Sequence, residues 1–174
     1  MALYAAEILG LDLPRQDKRL LVIAETDGCT VDGLIAATNC RVGSRTLRIL
    51  DLGKVAATFT DTVTKVSIRI APSAHIRTLA VEFAPDAGNR WRSMLQGYQI
   101  MPADVLFTAG YVQLNEPMEQ ILSKPGKKAV CEMCGEEIIN GREVLKDKLI
   151  LCRTCAGESY YQLSTMPHTL EIEH

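Results

Sequence analysis

The chain has 174 residues, of which 47% are hydrophobic and 23% charged, with a net charge of −2. That length suits one or two domains with a real core. The charge balance argues against a protein held to nucleic acid or an anionic membrane by bulk electrostatics, and no run approaches the ~18 apolar residues of a membrane span.

In chain order, the first expected element is an amphipathic helix from Ala2 to Leu9 that stops near Gly10. The N-terminal stretch has no basic n-region before an apolar run, so the default expectation is a cytoplasmic protein with reduced thiols. Pro14 and the charged run Arg15 to Arg19 read as a loop. LLVIAE (20–25) is a continuous apolar run, the pattern of a buried strand. Asp27-Gly28 breaks it, and CTVDGLIAATNC (29–40) follows with Val31, Leu34, Ile35 and Thr38 on one helical face. Asp27 is the expected N-cap, with Cys29 in the first turn.

Three strands are expected next, TLRILDLG (46–53), VAATFT (55–60) and KVSIRIA (65–71). A helix is expected over 73–84, opened by Ser73 after Pro72. NRWRSMLQGYQ (89–99) continues in helical period, with Trp91, Leu95 and Tyr98 on one side and a buried Trp91 as the simplest reading. VLFTAGYVQL (105–114) reads as a further strand.

KPGKK (124–128) combines Pro, Gly and three lysines, and marks a linker. Upstream lies an α+β core domain, residues 1–123, a mixture of helices and sheet. Downstream, residues 129–174 form a module and tail too small to fold on a hydrophobic core alone, a size at which a metal or disulfide is usually needed.

That module carries Cys131-x2-Cys134 and, after seventeen residues, Cys152-x2-Cys155. This is the spacing of a four-thiolate zinc site. One such turn offers two thiolates, and two turns facing each other complete a tetrahedron with ligands at ~2.3 Å. Four protein ligands leave no open position, so the zinc is structural. A dithiol redox pair needs only one Cys-x-x-Cys, and iron is the other metal suited to four sulfurs. Asn140-Gly141, a favoured two-residue hairpin turn, is the expected means of folding the pairs together. AGESYYQL (156–163) reads as a helix opened by the second pair. Knuckle, hairpin and helix in that order make a treble clef. From Lys124 to Leu163 there are seven basic and six acidic residues. Four thiolates and a dication then bring the module to about −1. Protein contact is favoured over nucleic acid.

The core has its own polar stretch, E25-T-D-G-C-T-V-D32, at a junction of strand and helix where ligands often collect. Asp27, Cys29, Asp32 and Lys54 are the candidate cleft for a small anionic ligand or a second metal ion, with Glu25 as a further carboxylate. The alternative reading has Asp27 capping, Gly28 turning and Cys29 as a small buried hydrophobe. Cys40 is expected only to pack, His75 stands alone, and Arg41, Arg45 and Arg48 read as a solvated basic edge.

ETDGC (25–29), DLGKVAATF (51–59), GYQIMP (97–102) and the trailing four-cysteine module together resemble the FmdE-like family of formylmethanofuran dehydrogenase components over roughly Leu20 to Tyr161. The resemblance implies an α+β core with an appended treble-clef zinc finger and a homodimer. It also implies an accessory role in one-carbon, methanogenesis-related metabolism, in which the FmdE component does not carry the pterin that reduces CO2. It makes Cys29 the carry-over position for a core metal. The family's upstream His-x-Cys-Pro-Gly segment has no counterpart before Met1. The competing functions are a metal-dependent enzyme or small-ligand binder using the core cleft, and a nucleic-acid regulator using the finger.

Overall fold

A computed structural model describes residues 1–121 and 126–162. The first two linker residues, Lys124 and Pro125, and the tail 163–174 lie outside the described residues. The chain divides into two compact units, Met1–Leu122 and Ser123–His174. Among the described residues no helix is long and apolar enough to cross a membrane.

The first unit is built on a five-stranded mixed sheet in the order β2-β1-β3-β4-β5. Its strands are β1 (Leu20–Ala24), β2 (Leu47–Ile49), β3 (Ala57–Asp61), β4 (Ser67–Pro72) and β5 (Phe107–Tyr111). β2 runs parallel to β1, and the other neighbours are antiparallel. Every residue of β1 and β3 is buried, which is why LLVIA has no alternation: it lies in the centre of the sheet. In register, Val22, Phe59 and Ile68 lie side by side, as do Ala24, Ala57 and Ile70. These residues share one core with Ala2 and Ala5 of α1 (Ala2–Leu9) and Val31 and Leu34 of α2 (Cys29–Thr38). Gly10 ends α1 in the left-handed region, φ 63°, where its N–H reaches back to the last-turn carbonyls.

The parallel pairing of β1 and β2 requires a crossover, and α2 supplies it. β2 is only three residues long because the chain then wraps around the end of β1. Leu50 N–H donates to the Ala24 carbonyl, and the Leu52 and Lys54 N–H groups both donate to the Glu25 carbonyl. The expected strand over 46–53 therefore divides into a short strand and the 50–56 loop.

Between β4 and β5 the chain forms a pair of helices, α3 (Ile76–Phe83) and α4 (Arg90–Ile100). They pack on each other through Gly97, where the helix backbones approach so closely that a Cβ would overlap the Ala80 carbonyl. The side chain of Asn89 accepts from Arg92 N–H at 3.0 Å and caps α4. Ser73 does not cap α3; its hydroxyl donates to the Val105 carbonyl at 2.7 Å, closing the base of the pair. Trp91 is 65% exposed rather than buried. The apolar stripe of α4 that predicts burial has no sheet beneath it, and neither helix contributes to the sheet's core cluster. The short α5 (Ala103–Leu106) leads directly into β5, and α6 (Met118–Ile121) follows it.

The second unit contains two hairpins, β6 (Lys128–Val130) with β7 (Glu137–Ile139) and β8 (Val144–Lys146) with β9 (Leu149–Leu151), followed by one helical turn, α7 (Arg153–Ala156). Asn140 and Gly141 adopt the left-handed region, φ 67° and 63°, as a type I′ turn demands. They do not close a hairpin, because β7 and β8 each pair elsewhere. The tight turn is instead Asp147-Lys148, φ 51° and 68°, between β8 and β9. The helix expected over 156–163 ends at Gly157, which takes φ 113° and donates back to the Arg153 and Thr154 carbonyls. Lys128, read as the end of the linker, is the first residue of β6.

Candidate metal centre

Cys131 and Cys134 lie in the connection between β6 and β7. Cys131 N–H donates to the Glu136 carbonyl, and Gly135 N–H donates back to the Cys131 carbonyl, each at 2.9 Å. Gly135 has φ 78°, a conformation glycine reaches without a steric penalty. The result is a tight knuckle with both thiols on one side. Cys152 and Cys155 bracket the start of α7, with Cys152 at its N-cap. Glu132 ties the two halves together: its N–H donates to the Ile150 carbonyl at 2.9 Å, and its carboxylate accepts from Ile150 N–H. The module's small core is Cys131, Ile138 and Leu151.

The four sulfurs lie within 4.8 Å of one another. Cys134 Sγ and Cys152 Sγ are 3.9 Å apart. A tetrahedron with ~2.3 Å metal–sulfur bonds needs edges of about 3.8 Å, so the spacing matches a metal held between the thiols. All four are free thiols. Backbone donors support them: Cys152 N–H points at Cys131 Sγ, 3.3 Å, and Cys155 N–H at Cys152 Sγ, 3.4 Å. The backbone N–H groups of Cys134 and then Cys152 hold the Cys131 thiol down at about 6, in the thiolate range at neutral pH. The adjoining Cys152 side chain, ahead of burial and the other two sulfurs, pushes the Cys155 thiol up to about 12. Four sulfurs this close do not all ionise unaided. A dication between them removes that conflict, as the donor set of a structural tetrahedral site requires.

The core candidates present a different picture. Gly28, φ 81°, is the N-cap of α2, and the Asp27 side chain makes no capping bond. Cys29 opens the helix and is exposed, not a buried hydrophobe. Asp27, Asp32 and Lys54 are exposed as well. Among the described residues, the four module cysteines are the one group of three or more His, Cys, Asp or Glu side chains whose ligand atoms converge. Asp27, Cys29 and Asp32 do not converge in this way, and a second metal in the core has no support.

Glu25 is engaged elsewhere. Its carboxylate takes both Nε and an outer nitrogen of Arg69, at 2.5 and 2.7 Å, and this pair, ahead of the Lys54 charge, holds the Glu25 carboxyl below its ordinary range. Cys40 packs as expected, with its thiol directed at the Leu20 carbonyl. Arg48 is not a solvated edge residue; its guanidinium donates to the Ile121 carbonyl at 2.6 Å. Sequence reasoning found all four cysteines but missed Glu132, whose role depends on the fold bringing β9 alongside the knuckle.

The family model described as "FmdE, Molybdenum formylmethanofuran dehydrogenase operon" matches residues 1–108. A probable S-adenosyl-L-methionine-binding protein of Archaeoglobus fulgidus is 28% identical over 92% of this chain, and the chain spans 48% of that protein's length. The crystal structure of a tungsten formylmethanofuran dehydrogenase FmdE-like protein from Syntrophus aciditrophicus superposes with a TM-score of 0.54 and 22% identity. It covers 87% of this chain and 78% of the Syntrophus chain, a likeness of fold.

Proposed function

The chain belongs to the FmdE family, and from that premise we propose that it is a zinc-binding accessory component of formylmethanofuran, one-carbon metabolism. In this reading Cys131, Cys134, Cys152 and Cys155 hold one structural zinc, and the treble-clef module around it docks on a protein partner. The chain acts as a homodimer in the cytoplasm. The observation that carries the reading is the convergence of four thiols within 4.8 Å in a module with almost no apolar core. A metal that binds only the folded module contributes its binding energy to folding, so the zinc is what makes a docking surface possible there. The chemistry of such a closed site is structural: no coordination position is open to a substrate or water.

The reading is tested by metal analysis and assembly together. Purified chain should contain one zinc and no iron. Co-expressed with the formylmethanofuran dehydrogenase components of the same genome, it should co-purify with them, and Cys152→Ser should abolish that association while the core stays folded. A metal-free, folded module would end the zinc reading; association indifferent to Cys152→Ser would end the docking role.

A second reading is favoured by the Archaeoglobus relative, whose name has it bind S-adenosyl-L-methionine. Here the core, around Asp27, Cys29, Asp32 and Lys54, takes a small ligand of that kind. Calorimetric titration with S-adenosyl-L-methionine, repeated on Cys29→Ala and Lys54→Ala, decides it: no heat of binding removes the reading.

A further inference from the structure

The turn between α3 and α4 borders a cleft of about 740 Å³, within the size range of small-molecule sites. Four charged side chains line it: Arg77 and Glu82 of α3, Asp86 of the turn and Arg90 at the start of α4. Among the described residues none of the four forms an ion pair or a side-chain hydrogen bond. Ser93 lines the same cleft and is only 3% exposed. Its hydroxyl has no partner among the described residues, not even the Asn89 carbonyl one turn back, which accepts its N–H. Yet no side-chain oxygen or nitrogen of the described residues is sealed away without a partner. The Ser93 hydroxyl therefore opens into the cleft, a polar group on a buried residue with its hydrogen bonds still to make.

The two helix ends at the cleft carry charges of the sign opposite to the usual one. A helix N-terminus is ordinarily complemented by acidic side chains and a C-terminus by basic ones. The first turn of α4 has no acidic residue and carries Arg90 and Arg92, and the last turn of α3 has no basic residue and carries Glu82. Asn89 serves the N–H groups of Arg92, through its side chain, and Ser93, through its carbonyl. The N–H groups of Arg90 and Trp91 have no acceptor among the described residues. The start of α4 thus offers two amide donors, a hydroxyl and a guanidinium, and Arg77 adds a second cation. The end of α3 and the turn offer two carboxylates, and Val81 and Pro85 add apolar surface.

We propose that this cleft binds a free α-amino acid. The ligand's carboxylate takes the N–H groups of Arg90 and Trp91, the Ser93 hydroxyl and the Arg90 guanidinium. Its ammonium goes to Glu82 and Asp86, and its side chain lies on Val81 and Pro85. A helix N-terminus with a guanidinium and a hydroxyl suits a carboxylate. Two carboxylates in the same cleft disfavour a simple anion, and two guanidinium groups disfavour a simple amine. A ligand with both charges a few bonds apart satisfies both sets at once. The site shares no residue with the four-cysteine module or with the segment from Asp27 to Lys54, and it goes beyond the accessory role proposed above.

The test titrates each of the protein L-amino acids in turn into the isotope-labelled full chain and follows its amide resonances. At least one should give saturable shifts at Arg90, Trp91 and Ser93. The carboxylic acid lacking that ligand's amine, and the amine lacking its carboxylate, should each bind roughly tenfold more weakly or worse. Arg90→Gln should weaken binding roughly tenfold and Ser93→Ala roughly fivefold; Arg90 is exposed, and its variant serves should the buried Ser93→Ala not fold by circular dichroism. Glu82→Gln should weaken the amino acid roughly fivefold and leave the deaminated acid unaffected or improved, a split that only contact with the ammonium produces. No saturable shift at these amides with any of the amino acids overturns the site. Binding indifferent to Arg90→Gln and Ser93→Ala overturns its placement in this cleft, and equal binding of the deaminated acid overturns the amino acid as its ligand.

Discussion

Arg69 of β4 holds the carboxylate of Glu25, the residue just beyond β1, through two hydrogen bonds of 2.5 and 2.7 Å across the intervening strand β3. The Glu25 carbonyl, in turn, accepts from both Leu52 and Lys54. Glu25 is therefore the point at which the ETDGC segment and the DLGK loop, far apart in sequence, are fastened to the sheet. Glu25→Ala leaves the Arg69 guanidinium without its carboxylate. Charge-assisted bidentate bonds of this kind contribute about 1.5–3 kcal/mol. Arg69 is 37% exposed and Glu25 11% at the side chain, so solvent screening moves the expected loss to about 1–2 kcal/mol. Urea denaturation of the two proteins side by side measures it, and Glu25→Gln should recover part of the loss.

Gly97 yields a prediction opposite in sign to helix propensity. In an exposed helix, replacing glycine by alanine stabilises by up to ~1 kcal/mol. Gly97, however, lies in α4 against the backbone of Ala80 in α3, with no room for a Cβ. Because the obstruction is main chain, the helices must separate. Gly97→Ala should destabilise the first unit by about 1–3 kcal/mol. By contrast Gly33, on α2, has nothing within 4 Å of a Cβ, and Gly33→Ala should stabilise. Opposite movements of the melting temperature in the two variants are the expected result.

Acid should act on the first unit through Asp61. Its side chain is fully buried and takes two hydrogen bonds from Arg19, at 3.0 and 2.9 Å. That guanidinium, with Val63 N–H, holds the Asp61 carboxyl well below its ordinary value of 3.8. A carboxyl depressed in the folded state adds stability in full above its unfolded value, and loses it as the pH falls through 3.8 towards the depressed one. Wild type should accordingly lose stability progressively below about pH 4. Asp61→Asn should be less stable at pH 7, since it leaves the Arg19 guanidinium without its carboxylate. The difference between the two should shrink as the pH is lowered from 4 to 2 in a series of thermal melts.

What could be read from the sequence, and what could not, divides along physical lines. LLVIA announces a central strand because burial on both faces leaves only apolar residues, and the Cys-x2-Cys pairs announce their centre because ligand spacing is local. Asp147-Lys148 was not legible as a turn: Asp tolerates the left-handed region, but Lys does not favour it as the Gly of an Asp-Gly pair would, and the pairing of β8 with β9 imposes it. Asn140-Gly141 misled in the converse way, since the pair adopts the expected dihedrals while the strands on either side of it find other partners. Trp91 misled because periodicity reports an apolar face but not what covers it. In the core, residue chemistry suggested a cleft of Asp27, Cys29, Asp32 and Lys54. Whether such side chains converge depends on loop path, and the 50–56 loop is fixed by backbone bonds to β1 rather than by those side chains.

Metal removal tests the second unit separately. With Cys131, Ile138 and Leu151 as the buried core among its described residues, the module has far less apolar burial than ordering those residues costs, so its fold should depend on the metal. Titrating a tight chelator into the full chain should release one zinc per chain. Amide exchange in 128–156 should then become fast, while the strands of the first unit, Leu20–Ala24 and Ala57–Asp61, keep their protection. Cys155→Ser should do the same without chelator. Reloading at pH 7 should expel protons, because free thiols are mostly protonated at that pH and bind the metal as thiolates. Proton release is measurable as a buffer-dependent heat. A chelated chain whose 128–156 amides stay protected would show that something other than four thiols and a metal folds this module.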